Sequence, residues 1–249
     1  MRKHLVLLGF AAMAVVVLAQ GVGAELLSSF VKALNSAQTL NVTYTVQPIG
    51  GAPETITLDL AKPNLAKIDR LRETVVADGK TITTYDKAAK TYYRQPQTPE
   101  LLRGLFASHE LGIWSSFFDA NAYKTISRAA ASGQKNRKGM VLNVLDLTID
   151  RSGTQQVTMY LSQQDNVARQ AEISIKGQGE TETLIVDTKS LTLGGPSDPK
   201  QFEFKAPEGA RELSWEEMNA GKWYTNLEEA KEVAARTKRL LFVDFYADW

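Results

Sequence analysis

The sequence predicts a mainly β, α+β fold: a curved antiparallel half-barrel sheet covered by short apolar helices, with a helix and a strand after it. Three observations carry this. Apolar and polar residues alternate with period two between residues 40 and 96, and again between 139 and 191. Gly, Pro, Asn and Asp cluster between the runs, as turns require. The stretch between the two sets, residues 99–119, is apolar at helical spacing instead.

The first element is "MRKHLVLLGFAAMAVVVLAQGVGA", residues 1–24. Arg2 and Lys3 precede an apolar run from Leu5 to Ala19, and Val22-Gly23-Ala24 ends it with small residues. This is the layout of a secretory signal peptide, and the mature chain is expected to start near Glu25, exported to the periplasm or another extracytoplasmic space. The run is short for a bilayer span and no second long one follows, so no membrane span is expected after cleavage. With 29 Lys and Arg against 28 Asp and Glu there is no electrostatic case for a nucleic-acid partner. The chain has no cysteine, so an exported fold here must rest on its core rather than on disulfides.

From Leu26 to Ala37, Leu27, Phe30, Val31 and Leu34 mark an amphipathic helix. Leu40–Pro48 and Glu54–Pro63 then alternate, with Val42, Tyr44 and Val46 on one face of the first and Ile56, Leu58 and Leu60 on one face of the second. "NLAKIDR", "ETVVADGKTITTYD" and "KTYYRQP" continue a meander, turning at Asp78-Gly79 and Asp86-Lys87. Thr98 and Pro99 read as N-cap and first residue of a helix. Leu101, Leu102, Leu105 and Phe106 form one helical face, and Leu111, Trp114, Phe117 and Phe118 a second. Strands resume at Gly139–Ile149, Thr154–Ser162, Ala168–Gly177 and Glu180–Leu191. Pro207-Glu208-Gly209 reads as a domain boundary. A sheet of this kind needs one face covered, and the helices of residues 99–119 are the expected cover.

Over residues 25–211 the segments "KPNLAKID", "VADGKTITTYDKAAKTYYRQ", "VTMYLSQQDNVARQAEI" and "FEFKAPEGARE" resemble the periplasmic lipoprotein-carrier (LolA-like) family. The resemblance implies a half-barrel with a closing "F.F..P.GA" strand and a hollow under the helices that takes acyl chains of a lipid or lipoprotein. The lining expected on that basis is Val42, Tyr44, Leu58, Leu60, Leu105, Phe106, Trp114, Phe117 and Phe118. Each methylene moved from water into such a hollow is worth about 0.8 kcal/mol, so acyl chains bind without polar recognition. A filled core with a structural or regulatory role needs the same inward apolar residues and stays open beside it.

Residues 212–249 change character. Asn226 and Glu229 are placed as a capping box before Leu227, Ala230, Val233 and Ala234, and Leu240–Tyr246 reads as a buried strand. Trp223, Leu227–Ala230, Ala234 and Leu241–Trp249 resemble the opening of a thioredoxin-fold domain, in which "VDFYADW" is followed by Cys-x-x-Cys. Asp244, Phe245, Ala247 and Trp249 carry that match, and the resemblance ties Asp244 to proton transfer at the cysteine pair. Two explanations stand open for a chain without the cysteines: a fragment, or a UGA codon that encodes selenocysteine. The alternative function is therefore an exported thiol–disulfide oxidoreductase whose redox pair, and redox partner, belong to a longer form. Without a partner sheet, this helix and strand are expected to pack poorly or to dock on the first domain.

Other chemistry is thin. His4 lies in the leader and His109 between the apolar helices, so no catalytic triad, multi-histidine metal site or cofactor is expected, and His109 reads as a turn or cap residue. Gln134–Gly139, "QKNRKG", reads as a basic loop, and Gly177-Gln178-Gly179 as a hairpin turn.

Overall fold

Alternation becomes pairing almost residue for residue in the computed structural model, which describes residues 21–137, 139–150, 154–177, 180–219 and 222–244. Residues 1–20, which carry most of the expected signal peptide, lie outside the described residues. Residues 21–36 are helical (α1). The first meander follows: β1 (Thr39–Pro48), β2 (Glu54–Ala61), β3 (Leu65–Asp69), β4 (Glu73–Ala77), β5 (Thr81–Asp86) and β6 (Thr91–Pro96). The crossing segment holds α2 (Pro99–Gly104) and a 3-10 helix (Leu111–Phe117). The second meander is β7 (Ile126–Arg137), β8 (Met140–Asp150), β9 (Thr154–Ser162), β10 (Ala168–Lys176) and β11 (Thr181–Leu193). After it come a short 3-10 turn (Pro199–Phe202), β12 (Arg211–Glu212), α3 (Trp215–Met218) and α4 (Leu227–Thr237).

The described strands form a 12-stranded sheet in the order β12-β6-β5-β4-β3-β2-β1-β11-β10-β9-β8-β7. Every pairing is antiparallel except β12 with β6. The chain therefore runs out along one half, ending at β6, and resumes at the far edge with β7. At about 4.8 Å per strand, those two positions are about 48 Å apart along the sheet. The segment between them, residues 97–125, has to cross the sheet, and this topology is what makes it a lid.

The core lies between lid and sheet. Leu40, Val42, Tyr44 and Val46 of β1 and Ile56, Leu58 and Leu60 of β2 are buried in one cluster with Phe106, Leu111, Ile113, Trp114 and Phe117 of the lid. Cross-strand register places Val42 opposite Leu58 and Tyr44 opposite Ile56. Phe30 and Leu34 bring α1 onto the same cluster. Turn chemistry holds as expected at Asp78-Gly79: Asp78 Oδ1 accepts from the N–H groups of Lys80 and Thr81, and Gly79 has φ +93°.

Three segments differ from expectation. Gln134–Arg137, read as a basic loop, is the end of β7. That strand has no clean alternation, because it is an edge interrupted by two register shifts, with Gly133 at φ +105° beside the second. The expected closing strand at Phe202–Phe204 is absent. A 3-10 turn capped by Asp198 stands there, Phe202 is buried, and Phe204 packs against Tyr85 and Tyr92 at 5.9 and 5.0 Å. Prolines at 199 and 207 withhold the N–H donors a strand would need, and pairing is delayed to Arg211–Glu212. In the tail, Asn226 caps α4 as expected, accepting from the N–H groups of Glu228 and Glu229, while the reciprocal capping box is formed by Ser214 and Glu217 at α3. Residues 241–244 are not strand, and Leu240 and Phe242 are largely exposed. A strand exists only by pairing, and no described strand pairs with this segment.

Among the described residues, no helix is long and apolar enough to cross a membrane.

Candidate functional site

All nine residues expected to line a hollow are brought to the interface of sheet and lid. Val42, Tyr44, Leu58, Leu60, Phe106, Trp114 and Phe117 are buried in the core cluster, and Leu105 and Phe118 pack against it half-buried. Trp114 stacks obliquely on Tyr44 at 5.9 Å, and Phe117 meets Phe118 edge-on at 4.9 Å.

The open space lies to one side of this. A cleft of about 330 Å³ sits between the lid and the β7–β9 half of the sheet. Phe106, Ile113 and Phe118 form its lid side, and Ile126, Ile149, Gln155, Val157 and Met159 its floor. Of the nine expected lining residues, Phe106 and Phe118 border it. Arg103, His109 and Asp119 also border it, and Arg103 is paired with Glu100 at 2.9 Å. His109 is exposed in the turn between α2 and the 3-10 helix. Sequence patterning identified the inward faces, but not which inward residues leave a gap between them.

Gln155 was missed although the signal was present. It shares the parity of Val157, Met159 and Leu161 along β9, so its side chain belongs to the inward row. Across the ladder its partners are Ile149 and Ile175.

The lid is tied down by polar contacts at several points. Asn35 of α1 donates to the Ser116 carbonyl at 3.3 Å, and the Tyr123 hydroxyl donates to the Ile113 carbonyl at 2.9 Å. Lys62 lies over the Phe117 ring at 5.1 Å, and burial lowers the pKa of its ammonium. The strongest tie joins Glu110, at the start of the 3-10 helix, to Arg70 in the β3–β4 turn through a short ion pair. Ser108 donates to the same carboxylate at 2.8 Å. Burial is the largest influence on Glu110 and acts to raise its pKa. The Glu110 backbone N–H, Ser108 and Arg70 together outweigh it and hold the carboxyl below its ordinary range. Burial, and next the Glu110 charge, push the Tyr44 hydroxyl far above its ordinary range.

No protein-family model matches the chain, and no curated protein sequence matches it. Solved structures do. An uncharacterized conserved protein from Thermus thermophilus is 10% identical over 76% of this chain and 97% of its own, with a TM-score of 0.49. MucB is 13% identical over 75% of this chain, with a TM-score of 0.48; the match spans 64% of the MucB chain, less than two thirds. A LolA superfamily protein from Nitrosomonas europaea is 12% identical over 73% of this chain and 97% of its own, with a TM-score of 0.33. At such identities and TM-scores these proteins are what the chain resembles, and they leave its function to its own residues.

Among the described residues no group of histidine, aspartate and glutamate could hold a metal ion. Of the residues carrying the thioredoxin resemblance, Asp244 is exposed and outside any strand, and Phe245, Ala247 and Trp249 lie outside the described residues.

Proposed function

We propose that this chain is an exported binding protein for apolar or acylated ligands, lipid or lipoprotein, built as a lipoprotein-carrier-type half-barrel over residues 25–211. The observation that carries the reading is the cleft under the lid, floored by Ile149, Val157 and Met159 and roofed by Phe106 and Phe118. A ligand entering it exchanges water for apolar side chains at about 25 cal/mol per Å² buried. The crossing segment gives the site a cover attached at β7, one edge of the sheet, and at β6, one strand in from the other edge.

The test is titration with a neutral apolar fluorophore, N-phenyl-1-naphthylamine. Saturable binding is expected in the full chain, and Val157→Trp, which fills the cleft floor, is expected to weaken it at least tenfold. Thr158→Trp, on the opposite face of β9, is expected to leave it unchanged. Equal binding by both variants, or no saturable binding by the parent, overturns the proposal.

For residues 212–249 we propose the start of a thioredoxin-like unit. The support is the capped α4, the exposed Leu240 and Phe242, and the Trp223–Phe242 ring contact at 6.2 Å. Thiol chemistry would need residues this chain lacks, since it contains no cysteine.

A further inference from the structure

Gln155 is 8% exposed, lines the cleft, and has no side-chain hydrogen bond among the described residues. Its cross-strand neighbours Ile149 and Ile175 are both apolar and pack against the core, and the next inward positions on its own strand are Val157 and Met159. The Gln155 amide atoms are not among the sealed, unpartnered polar atoms of the described residues, so they open onto the cleft, where a ligand can meet them. An isoleucine or leucine would fit the inward alternation there and leave no polar group on the floor. The amide is the polar group on an otherwise apolar floor of Ile126, Ile149, Val157 and Met159.

We infer that Gln155 is a ligand-recognition residue, and that it hydrogen-bonds the carbonyl of a neutral acyl ester or amide lying in the cleft. The inference rests on the proposed apolar-ligand site and deepens it. The Gln155 amide donates to the carbonyl oxygen, and the acyl chain runs along Val157, Met159 and Phe118. A neutral carbonyl suits this position better than an ionised carboxylate. The residues of the cleft floor around Gln155, namely Ile126, Ile149, Val157 and Met159, supply no cation, and a carboxylate held among them carries a far larger desolvation cost. A plain hydrocarbon would leave the amide without a partner. The ligand class is therefore an acylated molecule held by its ester or amide linkage, not a free fatty acid and not an alkane.

Displacement of 1-anilinonaphthalene-8-sulfonate from the full chain by methyl decanoate, decanoate and undecane tests this. Methyl decanoate is expected to bind about tenfold more tightly than either of the others, with its carbonyl stretch moved to lower frequency in the infrared spectrum of the complex. Gln155→Leu, close in volume and apolar, is expected to remove both the preference over undecane and the frequency shift while still binding undecane. Gln155→Asn, which keeps the amide but shortens its reach, guards against a packing effect of leucine and is expected to lose most of the preference. Equal binding of ester and alkane by the parent overturns the role of Gln155 and leaves the apolar site standing. Failure of all three to displace the probe removes the site itself, and the inference with it.

Discussion

Trp114→Ala is expected to lower stability by about 3–5 kcal/mol, the range for deleting a large buried aromatic side chain. Trp114 is 1% exposed and joins the 3-10 helix of the lid to Tyr44 at the middle of the sheet. A 3-10 helix has little stability of its own, so removing its principal anchor loosens the cover as well as the core. At an m-value of about 2 kcal/mol per M, the urea midpoint should fall by about 2 M. Tyr44→Phe makes the complementary measurement. Among the described residues the buried Tyr44 hydroxyl makes no hydrogen bond of ordinary geometry, and its polar neighbour is the equally buried Trp114 indole N–H, so its removal should change stability by less than about 1 kcal/mol. A loss above about 1 kcal/mol in Tyr44→Phe would show that the hydroxyl is satisfied in solution. A loss below about 1 kcal/mol in Trp114→Ala would show that the lid does not depend on the central packing.

Arg70→Met is expected to cost about 3 kcal/mol at neutral pH, because it strands the Glu110 carboxylate in a largely buried position. The Arg70 side chain keeps 21% of its exposure and that of Glu110 10%, which places the effect at the low end for a buried pair. The double variant Arg70→Met/Glu110→Gln removes both charges and should recover most of the loss. If single and double variants lose equally, the packing of the Arg70 stem, not its charge, holds the lid. The acid limb follows from the same pair. The folded-state pKa of Glu110 is depressed, so its contribution is full above the unfolded value of about 4.3. It is lost as pH falls through the lower folded value. Glu110→Gln should therefore flatten the stability profile below about pH 4.3, as read from urea midpoints across the range.

Much of this architecture is legible in the residues. Val42, Tyr44, Leu58 and Leu60 announce their face by parity, and Thr98-Pro99 announces a helix start, confirmed by the bond from the Leu101 N–H to Thr98 Oγ1 at 3.2 Å. β7 is not legible, since Ala129, Ala130 and Ala131 provide no contrast between faces and the strand exists by pairing with β8. The Arg70–Glu110 pair is not legible either, because its partners are 40 residues apart and meet through the crossing of the lid. The cleft depends on how far the lid stands above β8 and β9, a distance that no periodicity encodes. Gln155 falls between these cases: parity along β9 marks it as a misplaced polar residue, and the cleft gives that anomaly a meaning.

The arrangement of two meanders also dictates an order of assembly. Within each meander, neighbouring strands are close in sequence and their ladders close short loops at small entropic cost. The seam between β1 and β11 is different: Leu40 pairs with Leu193, about 150 residues away. Its formation must wait for chain ends that diffuse together late, and parallel progress in the two halves does not hasten it. Pulse-labelled hydrogen exchange should find amides of the β2–β3 and β9–β10 ladders protected before those of the β1–β11 ladder. Simultaneous protection would mean that the halves fold as one unit. Until the seam closes, each meander exposes a bare inward face, and the half-formed protein is most vulnerable to misassociation during that interval.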